Sequence, residues 1–181
     1  MTYRTAILVA VALSLLSELV TSSPHVRWSA GPVPILPKFV LWNASASVPP
    51  GLYLLRSPYP LHSNELVVAT PPAPLAKFLA ARGYLPAGVP LLKHVAALRG
   101  QTVCRVAHTI TIDGHAIAFA RDDDHRGRLL PAWKGCRTLR AGEVFLLNPN
   151  IPDSFDGRYF GPLSAAAITA RAEPLWIIGK D

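Results

Sequence analysis

The chain has 181 residues, enough for about one domain. Half of its residues are hydrophobic, only 16% are charged and the formal net charge is +7, a composition that excludes an intrinsically disordered chain. Its 18 prolines argue against a helical bundle, because proline disrupts helix interiors and is found in turns and at strand edges. The composition therefore predicts a mainly β fold.

The first 22 residues have the pattern of a signal peptide or a membrane anchor. An uncharged apolar run over residues 6–17 follows Arg4. Twelve helical residues rise about 18 Å, less than the ~30 Å hydrocarbon core of a bilayer. We predict a signal peptide or anchor over residues 1–22, with residues 6–20 as the membrane segment, and the sequence leaves its cleavage open. A buried globular helix is the alternative, and export to the periplasm is favoured.

A stiff spacer and then a single domain follow. Residues 23–38 contain four prolines, at positions 24, 32, 34 and 37, and predict an extended linker. The domain is expected over residues 39–178.

Short apolar segments bounded by turn residues predict most of the strands in this domain. These strands are expected at residues 39–42, 52–55, 65–69, 91–98, 115–119, 143–147 and 165–172. One helix is predicted over residues 74–82, with proline in its first turn and Gly83 at its end. Apolar residues alternate with threonine from Val106 to Ile112, which predicts a further strand, and Asp113-Gly114 then predicts a hairpin turn.

Two cysteines lie 32 positions apart, at Cys104 and Cys136. They form no CxxC motif and have no histidine at zinc spacing. In an oxidising compartment such a pair predicts one disulfide, and two unpaired thiols are the alternative. The six histidines form no HExxH motif, so no metal is expected, and His108 is interpreted as a packed residue of a hairpin strand.

A serine in a proline-rich turn is the first candidate for chemistry. Ser47 precedes two prolines and Gly51, on a loop with little conformational choice. Such a loop can present a nucleophile, although serine and proline also cluster in ordinary turns.

A lysine within an apolar strand is the second candidate. Lys93 has Leu91, Leu92 and Val95 around it. Burial disfavours the charged ammonium, so a buried lysine can act as a base near neutral pH, as a serine nucleophile without a histidine requires. The alternative is a surface lysine on an edge strand.

The third candidate is the polar segment at residues 153–161. Asp156 and Arg158 can pair, and Ser154 is a small hydroxyl able to orient another polar group. The alternative is an ordinary loop salt bridge, which would contribute about 0–1 kcal/mol.

Together and in this order, the three segments resemble the type I signal peptidase family of Ser/Lys proteases. Residues 47–50 are similar to its serine box, residues 92–100 to its lysine box and residues 153–161 to its C-terminal box. The resemblance is closest to the TraF-type pilin maturation peptidases of conjugative transfer. Three patterns indicate this branch: the spacing of polar residues and glycine over residues 43–53, Gly127-Arg128-x-x-Pro131, and the end of the last box at residues 154–162. The similarity extends over about residues 39–176.

The resemblance implies a coiled β-sheet or barrel domain and a catalytic dyad. Ser47 would attack the scissile carbonyl and Lys93 would act as general base. The Ser45 hydroxyl and the Ser47 backbone N–H would form the oxyanion hole.

The resemblance also implies roles for the last box. Ser154 would hydrogen-bond Lys93 and fix its direction. Asp156 and Arg158 would brace that loop from behind.

The implied substrate is a pilin precursor that binds as an extended peptide along a strand edge. TraF-type enzymes cleave it and join its ends, and nothing in these residues distinguishes water from an amine as acceptor. No cofactor is expected, the inner membrane surface is an expected partner, and nucleic acid is not, because the arginines are interspersed with Asp122–Asp124. A non-catalytic exported β-rich pilus-assembly factor is the alternative function.

Overall fold

A computed structural model of the chain describes residues 39–179, and the predicted signal or anchor segment and the spacer lie outside them. The described part is mainly β, as the sequence predicts. Its strands are β1 (Val40–Asn43), β2 (Gly51–Arg56), β3 (Leu66–Ala69), β4 (Leu91–Ala97), β5 (Thr102–Val106), β6 (Thr109–Ile112), β7 (His115–Phe119), β8 (Gly135–Thr138), β9 (Glu143–Leu147), β10 (Leu163–Ser164) and β11 (Ile168–Ile177).

The strands form two antiparallel sheets. The larger has the order β1-β2-β11-β3-β4-β9-β10 and curls into a half-barrel, which agrees with the predicted coiled sheet. The smaller has the order β7-β6-β5-β8. A buried cluster that includes Phe145 and Leu147 of β9 with Val103 and Ile110 of the smaller sheet joins the two. In the strand order of the larger sheet, β4 lies between β3 and β9, so it is an interior strand.

The predicted helix is present as α1 (Ala73–Arg82). Proline occupies its first turn, and Gly83 ends it at φ 68°, where its N–H donates to the carbonyl of Ala80 at 3.0 Å. Leu79 is fully buried and packs α1 against the larger sheet. No helix within residues 39–179 combines the length and the apolar character needed to cross a membrane.

The helix content exceeds the single helix that we predicted. A one-turn helix, α2 (Gly157–Phe160), lies inside the C-terminal box. A 3-10 turn also occupies Ala165–Ala167, so the last strand begins at Ile168 and continues to Ile177 instead of spanning residues 165–172.

The alternating stretch from Val106 to Ile112 is two strands, so the prediction of one strand is wrong. Ala107 and His108 form a turn, with Ala107 at φ 52°, and Val106 of β5 pairs with Thr109 of β6. In one continuous strand Val106 and Ile112 would point to the same face. With the turn between them, Ile112 is buried whereas Val106 is 66% exposed. His108 is accordingly not packed in a strand, and its Nε2 lies 3.0 Å from Asp122 Oδ1 near the surface.

The two cysteines form the disulfide, on strands that the apolar pattern did not indicate. Cys104 of β5 lies directly opposite Cys136 of β8, with their Cα atoms 4.0 Å apart. All four residues of β8 are exposed, so this strand has no hydrophobic pattern. The structure therefore decides between the disulfide and the two unpaired thiols.

Replacing both Cys104 and Cys136 by alanine is expected to lower the free energy of unfolding by about 3–4 kcal/mol, because the bond closes a long loop in the unfolded chain. Urea unfolding of the oxidised protein and of the double variant measures this difference. A loss below about 1 kcal/mol would contradict the expectation.

Candidate active site

A buried asparagine shapes the loop that carries Ser47. Asn43, the last residue of β1, donates from Nδ2 to the carbonyls of Ser45, Val48 and Pro49 at 3.0, 3.1 and 3.2 Å. Its Oδ1 accepts the backbone N–H of Ser45 at 3.0 Å and the Ser45 hydroxyl at 2.8 Å. Five hydrogen bonds to one side chain hold the turn between β1 and β2 in a single conformation.

The part of this loop that follows Ser47 is also fixed by contacts with the rest of the domain. Val48 is 3% exposed and inserts into the core, while the Tyr53 hydroxyl donates to the Pro49 carbonyl at 2.6 Å. A Cβ on Gly51 would lie 2.1 Å from the carbonyl oxygen of Trp176, so only glycine allows β11 to approach here. The loop is therefore rigid around Ser47, as its prolines predicted.

Lys93 lies on β4 opposite Val67 of β3, and its side chain is buried, with 3% of the residue exposed. Its Nζ donates to Ser154 Oγ at 2.9 Å. Burial lowers the pKa of Lys93 from 10.5 to about 8; the negative charge of Asp156 opposes this shift, and the positive charge of Arg158 adds to it. The alternative of a surface lysine on an edge strand is wrong.

Ser47 and Lys93 line the same cavity, which has a volume of about 610 Å³ and also includes Ser45 and Ser154 in its walls. The Ser47 and Ser45 hydroxyl oxygens lie 3.0 Å apart. Since the Ser45 proton is donated to Asn43, Ser47 is the donor in this contact. Within residues 39–179 no hydrogen bond joins Ser47 to Lys93, since the Ser47 hydroxyl contacts Ser45 and the Lys93 amine donates to Ser154.

The same arrangement restricts Ser45. A serine hydroxyl has one proton, and that of Ser45 is donated to Asn43 Oδ1. Ser45 would therefore have to turn from Asn43 towards the cavity before it could donate to an oxyanion. The Ser47 backbone N–H, by contrast, does not depend on this reorientation of the Ser45 hydroxyl.

Asp156 and Arg158 form a fully buried ion pair, at 0% and 1% exposure, so the alternative of an ordinary, weakly stabilising loop salt bridge does not hold. The contact is bidentate, with Arg158 Nε to Asp156 Oδ1 at 2.9 Å and Nη2 to Oδ2 at 2.8 Å. Arg158 Nη2 also donates to the carbonyls of Ile151 and Ser154 at 2.7 and 3.1 Å. The pair thus shapes the loop that places the Ser154 hydroxyl beside Lys93.

Gly157, the first residue of α2, packs closely against β9 and lies between the two residues of the ion pair in the sequence. A Cβ on Gly157 would lie 2.6 Å from the Leu146 carbonyl oxygen and 2.7 Å from the Phe145 ring. Glycine is therefore needed here for close packing of α2 on β9.

Aromatic rings form part of the cavity wall near Ser154. Phe155 stacks on Tyr159 with ring centroids 5.1 Å apart, and Tyr84 lies 5.2 Å from Phe155. The Tyr84 hydroxyl donates to Asp124 at 2.6 Å, which ties the loop after β7 to the end of α1. The cavity thus combines hydroxyl and amine groups with apolar walls.

Asn148 is the site residue that the sequence analysis missed. It follows β9 directly and is 2% exposed, with its side chain between the Ser47 loop and β4. A polar residue that directly follows the apolar run at residues 144–147 and precedes a proline is the signal that could have indicated it.

The sequence matches the protein family described as "Signal peptidase, peptidase S26" over residues 2–177. The chain belongs to this signal peptidase family. The resemblance predicted from the three segments is thereby confirmed.

Proteins similar to this member of the signal peptidase family include conjugal transfer proteins. The conjugal transfer protein TraF of Agrobacterium fabrum is 34% identical over 145 residues, which are 74% of this chain and 80% of the relative. The plasmid transfer protein TraF of Escherichia coli is 31% identical over 144 residues, with the same coverage of 74% and 80%. A signal peptidase I from Enterococcus faecalis aligns in structure with a TM-score of 0.36 and 20% identity, over 61% of this chain and 94% of that protein.

Proposed function

We propose that this chain is an exported serine endopeptidase that cleaves a pilin precursor during conjugative transfer, with Ser47 as nucleophile and Lys93 as general base. One observation carries the proposal. A serine on a rigid loop and a buried lysine with a lowered pKa line one cavity, in a chain of the signal peptidase family.

In the proposed reaction, neutral Lys93 accepts the Ser47 proton and Ser47 Oγ attacks the scissile carbonyl. The Ser47 N–H donates to the resulting oxyanion, and the Ser45 hydroxyl joins it after turning from Asn43. Lys93 then gives its proton to the leaving amine, which departs and leaves an acyl-enzyme. Ser154 holds the lysine nitrogen in place through its 2.9 Å contact.

The lowered pKa makes this role accessible at moderate pH. With a pKa of about 8, about half of the Lys93 side chains are neutral at pH 8. An ordinary lysine would be neutral in well below about 1% of molecules at that pH. Burial thus raises the population of the basic form by about two orders of magnitude.

The substrate and the compartment are supported by different observations. The apolar walls of the cavity suit an extended peptide. The relatives named as conjugal transfer proteins support a role in conjugal transfer, and we propose a pilin precursor as the source of the peptide. The disulfide supports an oxidising compartment, which we propose to be the periplasm. Residues 6–20 would bring the enzyme to the inner membrane surface.

The test is mass spectrometry of the exported pilin made with the wild-type protein, with Ser47→Ala and without the protein. We expect processing with the wild type alone. A linear product indicates that water resolves the acyl-enzyme. A product lighter than this linear product by one water molecule indicates that the two ends have been joined. An unprocessed precursor in all three samples would overturn the proposed substrate.

A serine-reactive acyl probe separates the enzyme from the non-catalytic assembly factor. Labelling of the wild type that disappears in Ser47→Ala supports the enzyme. Absence of labelling in both, with folded protein shown by circular dichroism, favours the assembly factor.

The pH dependence of kcat/KM is expected to rise on a limb with a midpoint near pH 8, because the neutral form of Lys93 is the active one and its pKa is about 8. Cleavage of a pilin-derived peptide between about pH 6 and pH 11 measures this limb. A midpoint near 10.5, the ordinary lysine value, would contradict a desolvated base.

A further inference from the structure

We propose that Asn148 is a positioning residue that sets the distance and angle between Ser47 and Lys93. The inference rests on the proposed function and extends it to a residue outside the three boxes.

The amide of Asn148 reaches the nucleophile's own residue. Asn148 Nδ2 donates to the carbonyl of Ser47 at 2.6 Å, across 101 positions of sequence. The same nitrogen donates to the carbonyl of Leu92 at 3.3 Å. One side-chain nitrogen therefore bridges the Ser47 loop and the residue that precedes Lys93.

The oxygen of the same amide reaches the residue that follows the lysine. Asn148 Oδ1 accepts the backbone N–H of His94 at 3.2 Å and lies 3.0 Å from His94 Nδ1. Leu92 and His94 flank Lys93, so the amide holds β4 on both sides of the base. The orientation of the amide is fixed, since its nitrogen faces two carbonyls and its oxygen faces an N–H.

The main chain of Asn148 is itself held by the buried ion pair. Its N–H donates to Asp156 Oδ2 at 3.0 Å, and its carbonyl accepts from Arg158 Nη2 at 3.3 Å. The ion pair also shapes the Ser154 loop, so Asn148 connects three parts of the site to one buried anchor. Because the side chain is 2% exposed, water does not compete for these contacts.

Asparagine is the side chain that this position requires. Two N–H donors serve two carbonyls, and one oxygen serves an N–H, in a volume that a larger residue would exceed. Aspartate has the same shape and keeps the acceptor, but its second oxygen would face the carbonyls of Ser47 and Leu92 and repel both. A shift of about 1 Å between reacting groups can cost about 100-fold in rate.

The experiment compares Asn148→Asp with Asn150→Asp, a matched change at an exposed asparagine two positions away. Steady-state cleavage of a pilin-derived peptide is measured together with titration of active sites by the acyl probe. We expect Asn148→Asp to lower kcat at least tenfold per folded molecule, with KM within threefold of wild type. Asn150→Asp should match the wild type.

A purely structural role would lower the unfolding temperature of Asn148→Asp and leave kcat per folded molecule within tenfold of wild type, and this result would overturn the inference. If Asn148→Asp does not fold, Asn148→Ser, which keeps one donor, is judged by the same thresholds. Activity that persists in Ser47→Ala would instead overturn the proposed function, so the two failures are distinguishable.

Discussion

Replacement of Ser47 by alanine is expected to abolish peptide cleavage, with a loss of at least about 10³-fold in kcat. The reason is that the variant has no atom able to form the acyl-enzyme, whereas Asn43 and the rest of the loop are unaffected. Cleavage of a pilin-derived peptide measures the loss. The matched control is Ser57→Ala, at an exposed serine outside the cavity, which should keep full activity.

Replacement of Lys93 by methionine belongs to the same prediction, because the two groups act as a unit. Methionine fills a similar volume without a basic group, so the fold should survive while activity falls about as far as in Ser47→Ala. The double variant should be no slower than either single variant. Lys77→Met, at an exposed lysine of α1, is the control, and Lys93→Met activity above a tenth of wild type would refute the dyad.

Replacement of Arg158 by methionine is expected to lower the free energy of unfolding by about 3–5 kcal/mol, because it leaves the carboxylate of Asp156 buried without a counter-charge. Several carbonyls of the Ser154 loop lose their donor in the same variant. Urea unfolding at constant pH measures the change.

An exposed ion pair provides the comparison for Arg158. Arg56 and Glu173 lie 3.3 Å apart with about half of each side chain exposed. Arg56→Met should therefore cost less than about 1 kcal/mol, since water replaces the partner. Equal losses in the two variants would show that burial of the Asp156–Arg158 pair contributes nothing.

Local patterns in the sequence were sufficient where the structure depends on neighbours in the chain. The helix at α1 was predicted from its proline and from Gly83, because a helix is started and ended by contacts within a few residues. The turn around Ser47 was indicated by the prolines that restrict it. The order of the three boxes indicated the family.

Elements without their own apolar pattern escaped prediction. Strand β8 is wholly exposed and is held by pairing with β5 and by the disulfide, neither of which leaves a periodic signal. The division between β5 and β6 was hidden because a turn at Ala107 interrupts an alternation that looks continuous in the sequence. In both cases a partner strand decides the structure.

The sequence by itself determined which chemical groups this protein has, namely a serine on a stiff turn, a lysine within an apolar strand and an aspartate and arginine near the C-terminus. Only the tertiary structure decided what these groups can do. The lowered pKa of Lys93 arises because the folded chain removes water from its amine, and that burial depends on β3, β9 and the Ser154 loop together. The place of Asn148 depends likewise on contacts across 101 and 56 positions, which no local pattern in the sequence encodes.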